Sequence, residues 1–277
     1  MSQNKITIVI TSYKSEEKIL SCLESVNLKY KVIIIENSTN QDFKKKIEKK
    51  YTNVECVIAG ENLGYAKGNN LGLSKVKTEY ALILNPDAIL EKNTIENFLI
   101  TANKIRTFAI IAPAVQESND KKKIASIIEV KSVKGFAMFF NIKEFKNIGF
   151  FDKNIFIYLE EIDLCKRLKK RKEKIFIVKK SKIKHLAAKS SNIGFEFEKC
   201  RNWHWMWSKV YYDIKYKNYF YAIKKVFFTI LLSYIKGILF LLLDKDKSTI
   251  SFLRSSGAMN ALIGNKSWYR PKINNIY

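Results

Sequence analysis

The chain has 277 residues, 47% hydrophobic and 27% charged, an ordinary globular composition that excludes a disordered or fibrous protein. Ten Gly and three Pro exclude collagen-like or Pro-rich material. Four scattered cysteines (Cys22, Cys56, Cys165, Cys200) form no CxxC pair, which leaves a zinc knuckle or disulfide framework without support and points to a reducing, cytoplasmic setting. The net charge of +24 is unevenly placed: residues 1–120 hold 16 basic and 14 acidic side chains, residues 121–277 hold 34 and 12. A basic second half suits an anionic partner, whether nucleic acid, a lipid surface or a phosphorylated substrate, although a solvated Lys-rich surface has the same composition. Met1–Asn4 runs directly into an apolar strand pattern, so no signal peptide is expected.

Ile6–Thr11 is a β-branched run and predicts a buried strand. Ser15 is placed to cap a helix with Glu16 and Glu17 in its first turn and Ile19, Leu20, Leu23 and Val26 at helical spacing. Val32–Ile35 predicts the second strand, followed by a Lys-rich helix with Phe43 and Ile47 on one face. Val54–Ile58 and Ala81–Leu84 predict two more strands, separated by a Gly- and Asn-rich loop and another helix. Strands alternating with helices at this spacing build right-handed βαβ units and a parallel sheet, in which ligands sit beyond the C-terminal strand ends. From about residue 108 the pattern is mixed: short strands at Phe108–Ala112, Phe136–Phe140, Ile175–Val178 and Ile183–Leu186 surround a helix near Glu161–Lys170.

Four polar segments fall where a site belongs. Thr11-Ser12-Tyr13 and Glu36-Asn37-Ser38 end the first two strands and suit a nucleobase and ribose. Glu61–Asn70 carries Gly64 and Gly68, which let backbone approach a ligand, beside a helix start with free N–H groups for phosphate or ribose. Its spacing is neither a Walker A loop nor GxGxxG. Leu82–Asp87 delivers a carboxylate at a strand tip, where oxygen ligands suit a hard divalent cation shared with a diphosphate; a plain Asn-Pro-Asp turn is the alternative. Ile157–Cys165 opens an amphipathic helix with Glu160, Glu161 and Asp163, either as dipole partners or, at a cleft, as a general base.

Together, NLGYAKGNN, LILNPD and GFFDKNIFIYLEEIDLCKRL resemble the family-2 glycosyltransferases over roughly residues 5–195, with the NPD form similar to the rhamnosyltransferase-like branch. The resemblance implies a GT-A fold, a Rossmann-like mixed sheet flanked by helices, and transfer of a sugar with inversion from a dTDP- or UDP-sugar donor. It implies nucleobase and ribose contacts at Thr11, Ser12, Tyr13 and Glu36, and further donor contacts at Asn62, Gly64, Lys67, Asn69 and Asn85. Asp87, supported by His185, would hold Mn2+ or Mg2+, and Glu161 would be the catalytic base. Glu36 and Glu161 stand where the family usually has Asp, and Ala187 and Ala188 stand where Gly is frequent. His204, beside three tryptophans, reads as structural or interfacial.

Residues 1–200 are therefore expected to form the GT-A domain and residues 201–277 a helical, aromatic and basic extension. Within it, Val226–Leu243 is apolar with a single Lys, and Lys225, Thr229, Ser233 and Lys236 form one narrow polar stripe along the helix. Three placements fit: a helix lying in the plane of an anionic membrane, one packed on its own domain or in a homo-oligomer, or one spanning the bilayer. The expectation is a cytoplasmic enzyme, peripheral on the inner face of the cytoplasmic membrane, with a glycan or lipid-linked acceptor in cell-surface polysaccharide synthesis. A non-catalytic nucleic-acid-binding protein is the alternative, but that function requires neither an NPD tip nor a carboxylate cluster, and no nucleic-acid partner is expected.

Overall fold

The computed structural model of the chain describes residues 5–105, 107–115, 126–185 and 194–271. It divides into two compact units, Met1–Phe151 with Glu161–Ser191, and Asp152–Glu160 with Asn192–Tyr277.

The first unit opens with β1 (Ile6–Ser12), α1 (Glu16–Glu24), β2 (Lys31–Glu36), α2 (Gln41–Lys50), β3 (Val54–Ile58), α3 (Gly64–Ser74) and β4 (Tyr80–Leu84). β1 pairs in parallel with β2 and β4, and β2 with β3, as the βαβ pattern requires. Both faces of these strands are covered, so their side chains alternate between two cores. Ile8, Ile10, Val32, Ile34 and Leu82 enter one, while Val9, Ala81 and Ile83 enter the other.

The chain then changes hand. β5 (Ala88–Leu90), α4 (Thr94–Ile105), β6 (Ile110–Val115), β7 (Ile127–Glu129), β8 (Ala137–Asn141), α5 (Glu160–Lys170) and β9 (Ile175–His185) follow. β8 runs antiparallel to both β4 and β6, which makes the sheet mixed. Among the described residues the order is β3-β2-β1-β4-β8-β6-β9-β5, with β7 also on β9. The two short strands expected at 175–178 and 183–186 are one strand: β9 continues through Lys179–Lys182, a polar stretch that hides it from a hydrophobic pattern, and Leu186 lies outside the described residues. The strand expected at Phe108–Ala112 starts two residues later and runs on to Val115, across a register shift at Pro113/Ala114.

The second unit stacks α6 (Phe195–Tyr216), α7 (Tyr219–Leu239) and α8 (Lys245–Leu262) around Trp203, Met206, Trp207, Val210, Ala222, Val226, Ala258 and Ala261. Asn218 caps α7 by accepting from the Tyr221 N–H at 2.8 Å, and Asp244 caps α8 by accepting from Lys247 N–H at 3.0 Å. Gly257 lets α8 lie against the α6 backbone, because a Cβ there would run into the Trp203 carbonyl. His204 is a core residue, stacked on Phe156 at 4.4 Å with Nε2 on the Tyr269 carbonyl at 2.8 Å. Burial pushes its pKa down to about 3, so it stays neutral.

The apolar run expected to continue from 226 to 243 as one helix breaks at Leu239, and no described helix is long and apolar enough to cross a membrane. Thr229 and Ser233 turn inward toward α8, and the outward face of α7 is apolar.

Candidate active site

The strand tips of the first unit bring most of the expected donor residues together. Ser12 and Glu36 are register partners at the ends of β1 and β2. Glu36 is buried and accepts from the Ser38 hydroxyl at 2.6 Å. Burial pushes its carboxyl up to about 7, partly offset by that hydrogen bond. Thr11 faces α3 instead of the open tip, since a Cβ on Gly68 would lie 2.6 Å from its Cγ2. Gly68 therefore serves close packing of α3 on β1. Asn69 is likewise interior, 1% exposed, and donates to the Tyr65 carbonyl. Tyr13 is half-buried, and Lys67 is exposed near the start of α3.

Asn37, which the sequence offers only as part of the polar triplet ending β2, organises the loop before α3. Its Nδ2 donates to Asn62 Oδ1 and the Gly64 carbonyl, both at 3.2 Å, and its Oδ1 accepts from Leu63 N–H at 3.1 Å. Asn62 Oδ1 also accepts from Gly64 N–H at 3.1 Å, so Asn62 shapes the turn in which Gly64 adopts a φ of +77°. The one available signal was a short polar residue following a buried strand.

At the end of β4, Asn85 N–H donates to the Phe136 carbonyl at 2.8 Å, and the Asn85 carbonyl accepts from Ala88 N–H. This turn aims Asp87, 2% exposed, at the start of β5. The buried Cys22 thiol is pushed well up by burial and by the Asp87 charge. Ala88 pairs with His185 in the β5–β9 ladder, so the His185 backbone comes alongside the Asp87 turn; its side chain lies outside the described residues. No group of three or more His, Cys, Asp or Glu is gathered among the described residues. One carboxylate at a strand tip fits a hard cation that takes its remaining oxygens from a diphosphate and water.

Across the first unit, α5 carries the carboxylates. Glu161 lines a cavity of about 320 Å3 with Ser132, Lys134, Phe136 and Ile177. Burial raises its pKa, opposed by its own and the Ile162 backbone N–H groups at the helix start and by Lys134. Gly135 packs on the Glu161 side chain, and Tyr65 donates from its hydroxyl to the Gly135 carbonyl. Glu160 is buried at the head of the same helix, in the segment belonging to the second unit. Asp163 is 0% exposed and bound at 2.8 Å by Arg167 Nε, whose other nitrogens reach the Ile148, Gly149 and Phe150 carbonyls. Asp163 thus braces the chain entering this region. Tyr158 and Leu159, just before α5, both have left-handed backbones, with φ of +71° and +66°.

A sheet with a parallel first half, polar strand tips, a carboxylate after β4 and a mixed second half, in which β8 is antiparallel to its neighbours and β6 runs parallel to β9, is the GT-A fold of nucleotide-sugar glycosyltransferases. The Glycosyl transferase family 2 model matches residues 7–165, and the chain belongs to that family. It is 26% identical over 192 residues to the low-salt glycan biosynthesis hexosyltransferase Agl10 of Haloferax volcanii, covering 60% of this chain and 62% of that one. The chain thus spans less than two thirds of that relative's length. It is 24% identical to the rhamnosyltransferase WbbL of Escherichia coli K12, covering 59% of this chain and 76% of WbbL. Among solved structures, the mannosyltransferase PcManGT of Pyrobaculum calidifontis, in complex with GDP-Man and Mn2+, aligns with a TM-score of 0.56 at 12% identity over 93% of this chain and 87% of that one.

Proposed function

We propose that the chain transfers a sugar, with inversion, from a dTDP- or UDP-linked donor to a hydroxyl of a glycan or lipid-linked acceptor in cell-surface polysaccharide synthesis. The observation that carries this reading is Glu161, a carboxylate with a raised pKa at the wall of a cavity, in the same unit as the strand-tip cluster. In this reading the base and ribose lie against Ser12, Tyr13 and Glu36, with Thr11 of β1 and Asn69 of α3 supporting them from the interior. Asn62, Gly64, Lys67 and Asn85 border the rest of the donor. Asp87, with His185, would hold a divalent cation such as Mn2+ or Mg2+. Bound there, the cation offsets negative charge on the departing diphosphate. Glu161 accepts the proton of the acceptor hydroxyl as that oxygen attacks the anomeric carbon opposite the leaving group. A single displacement needs one base and no covalent enzyme intermediate.

The similarity to WbbL favours dTDP-rhamnose among the donors. The GT-A domain is assigned to residues 1–200. The extension, residues 201–277, is assigned a peripheral place on the anionic inner face of the cytoplasmic membrane, supported by the aromatic and aliphatic outer face of α7.

Glu161→Gln tests the reading directly. Loss of a general base lowers turnover by roughly 10²–10⁴-fold with little change in Tm or UDP affinity. Near-normal turnover in this variant, with turnover lost in Glu160→Gln, would move the base by one residue; activity in both would remove the assignment.

A further inference from the structure

On a projection of α7 at 100° per residue, Phe220, Phe227, Phe228, Leu231, Ile235 and Leu239 share one outward arc. They are exposed, Phe228 by 68%, and the chain continues into Leu242, 98% exposed. At the edge of this arc, marked by Leu232, lies a cavity of about 760 Å3 lined from α6, α7 and α8. It contains the polar stripe of α7, Thr229, Ser233 and Lys236, opposite Ser251 and Arg254 of α8. A helix lying in a membrane by that arc would hold the cavity mouth at headgroup depth.

The charges in the cavity are balanced. Lys247 is neutralised by Asp244 at 3.1 Å. Two cations, Lys236 and Arg254, and two carboxylates, Glu198 and Asp246, also line it, and none of these four is in an ion pair among the described residues. Arg254 Nε is buried and has no hydrogen-bond acceptor there. Glu198, Lys236 and Asp246 are exposed and Arg254 is half-buried, so water solvates them in the free chain, and a ligand of a single sign would engage only one pair of them. A ligand carrying one phosphate and one ammonium satisfies all four.

We propose that this cavity binds a phosphoethanolamine lipid headgroup, with Lys236 and Arg254 partnering the phosphate and Glu198 and Asp246 the ammonium. The membrane on which α7 lies is the source of the lipid, so the proposal rests on the membrane assignment above. It adds a chemical preference that anionic attraction alone does not supply.

Two measurements on the full chain keep the claims apart. In the first, calorimetric titration with dihexanoyl-phosphatidylethanolamine below its micelle concentration is compared with dihexanoyl-phosphatidylglycerol and with soluble phosphoethanolamine. The ethanolamine lipid and the soluble headgroup should bind at least about tenfold more tightly than the glycerol lipid, and Arg254→Gln, Lys236→Gln and Glu198→Gln should each weaken them by about tenfold. Equal affinity for the glycerol lipid, no binding of either lipid, or indifference to all three substitutions overturns the headgroup site. In the second, Phe228→Ser combined with Ile235→Ser should abolish co-sedimentation with vesicles while leaving phosphoethanolamine binding unchanged. Undiminished sedimentation of that variant would overturn the membrane placement of α7.

Discussion

Replacing Glu36 with Gln removes a titrating group from the end of β2 while keeping an oxygen to accept the Ser38 hydroxyl at 2.6 Å. The wild-type carboxyl is raised from 4.5 to about 7, chiefly by burial. Between those values the folded chain holds a proton that the unfolded chain has released, so stability falls as pH rises through this window. The group's contribution is complete below about 4.5 and lost above about 7. At 1.36 kcal/mol per pH unit, the full loss is about 3 kcal/mol, an upper bound because a buried carboxylate draws in water when it ionises. Glu36→Gln should therefore be about as stable as wild type near pH 5 and gain progressively, by up to about 3 kcal/mol, at pH 8. Urea unfolding of both proteins at four pH values across this range measures the gap, and titrations elsewhere cancel in the difference. A gap independent of pH would mean that Glu36 ionises as an ordinary exposed carboxyl, and the burial argument would be wrong. The same titration tests the proposed donor contact: if a uracil or thymine imide N–H is donated to the ionised Glu36 carboxylate, nucleotide affinity should rise with pH in wild type and stay flat in the variant.

Asp87→Asn should preserve the fold and lose most Mn2+-stimulated turnover, since an amide is a weak ligand for a hard cation; full activity in excess chelator would refute the metal assignment. Leu159→Gly should relieve a left-handed backbone at φ +66°. The expected gain is up to about 1 kcal/mol after the greater entropy of the unfolded glycine chain is subtracted, and thermal unfolding that shows a loss would count against strain at this turn. Gly257→Ala should destabilise by about 1–3 kcal/mol, because the added methyl meets the Trp203 backbone and cannot be relieved by a rotamer change. An unchanged denaturation midpoint would mean that α6 and α8 separate at no cost.

The parallel half of the sheet was legible because its strands are covered on both faces. A run such as Val32–Ile35 has no solvent face to dilute it, and β2 extends it by one residue at each end. The second half was less so. β5 has three residues, too few for any periodicity, and β9 carries lysines at positions 179, 180, 182 and 184 that break its apolar pattern. The helix α4 carries Ile95, Phe98, Leu99 and Ala102 at the helical period, but its short apolar stripe lies between two strands and is interrupted by polar residues. In the candidate site, chemistry-bearing residue types were visible but their orientations were not. Thr11 and Asn69 look like ligand contacts in a polar motif; in the structure Thr11 lies against Gly68 of α3, and Asn69 is 1% exposed and donates to the Tyr65 carbonyl within its own helix. The stripe on α7 was visible by projection; which way it faced depended on α8, whose partner residues lie ten or more positions further along.

The segment Asp152–Glu160 interrupts the first unit and is built into the second, where Phe156 stacks on His204, the Ile157 carbonyl accepts from Ser208 at 2.8 Å, and Tyr158 accepts from Arg201 at 2.6 Å. The chain therefore leaves and re-enters the catalytic fold immediately before Glu161. Cutting near residue 200 would strip this nine-residue excursion of its packing partners and release the lead-in to the very helix that carries the proposed base. The helical unit cannot be treated as a detachable cassette: exchanging it between relatives would require moving two separate stretches of sequence together, and substitutions in one stretch should be tolerated only with matching changes in the other.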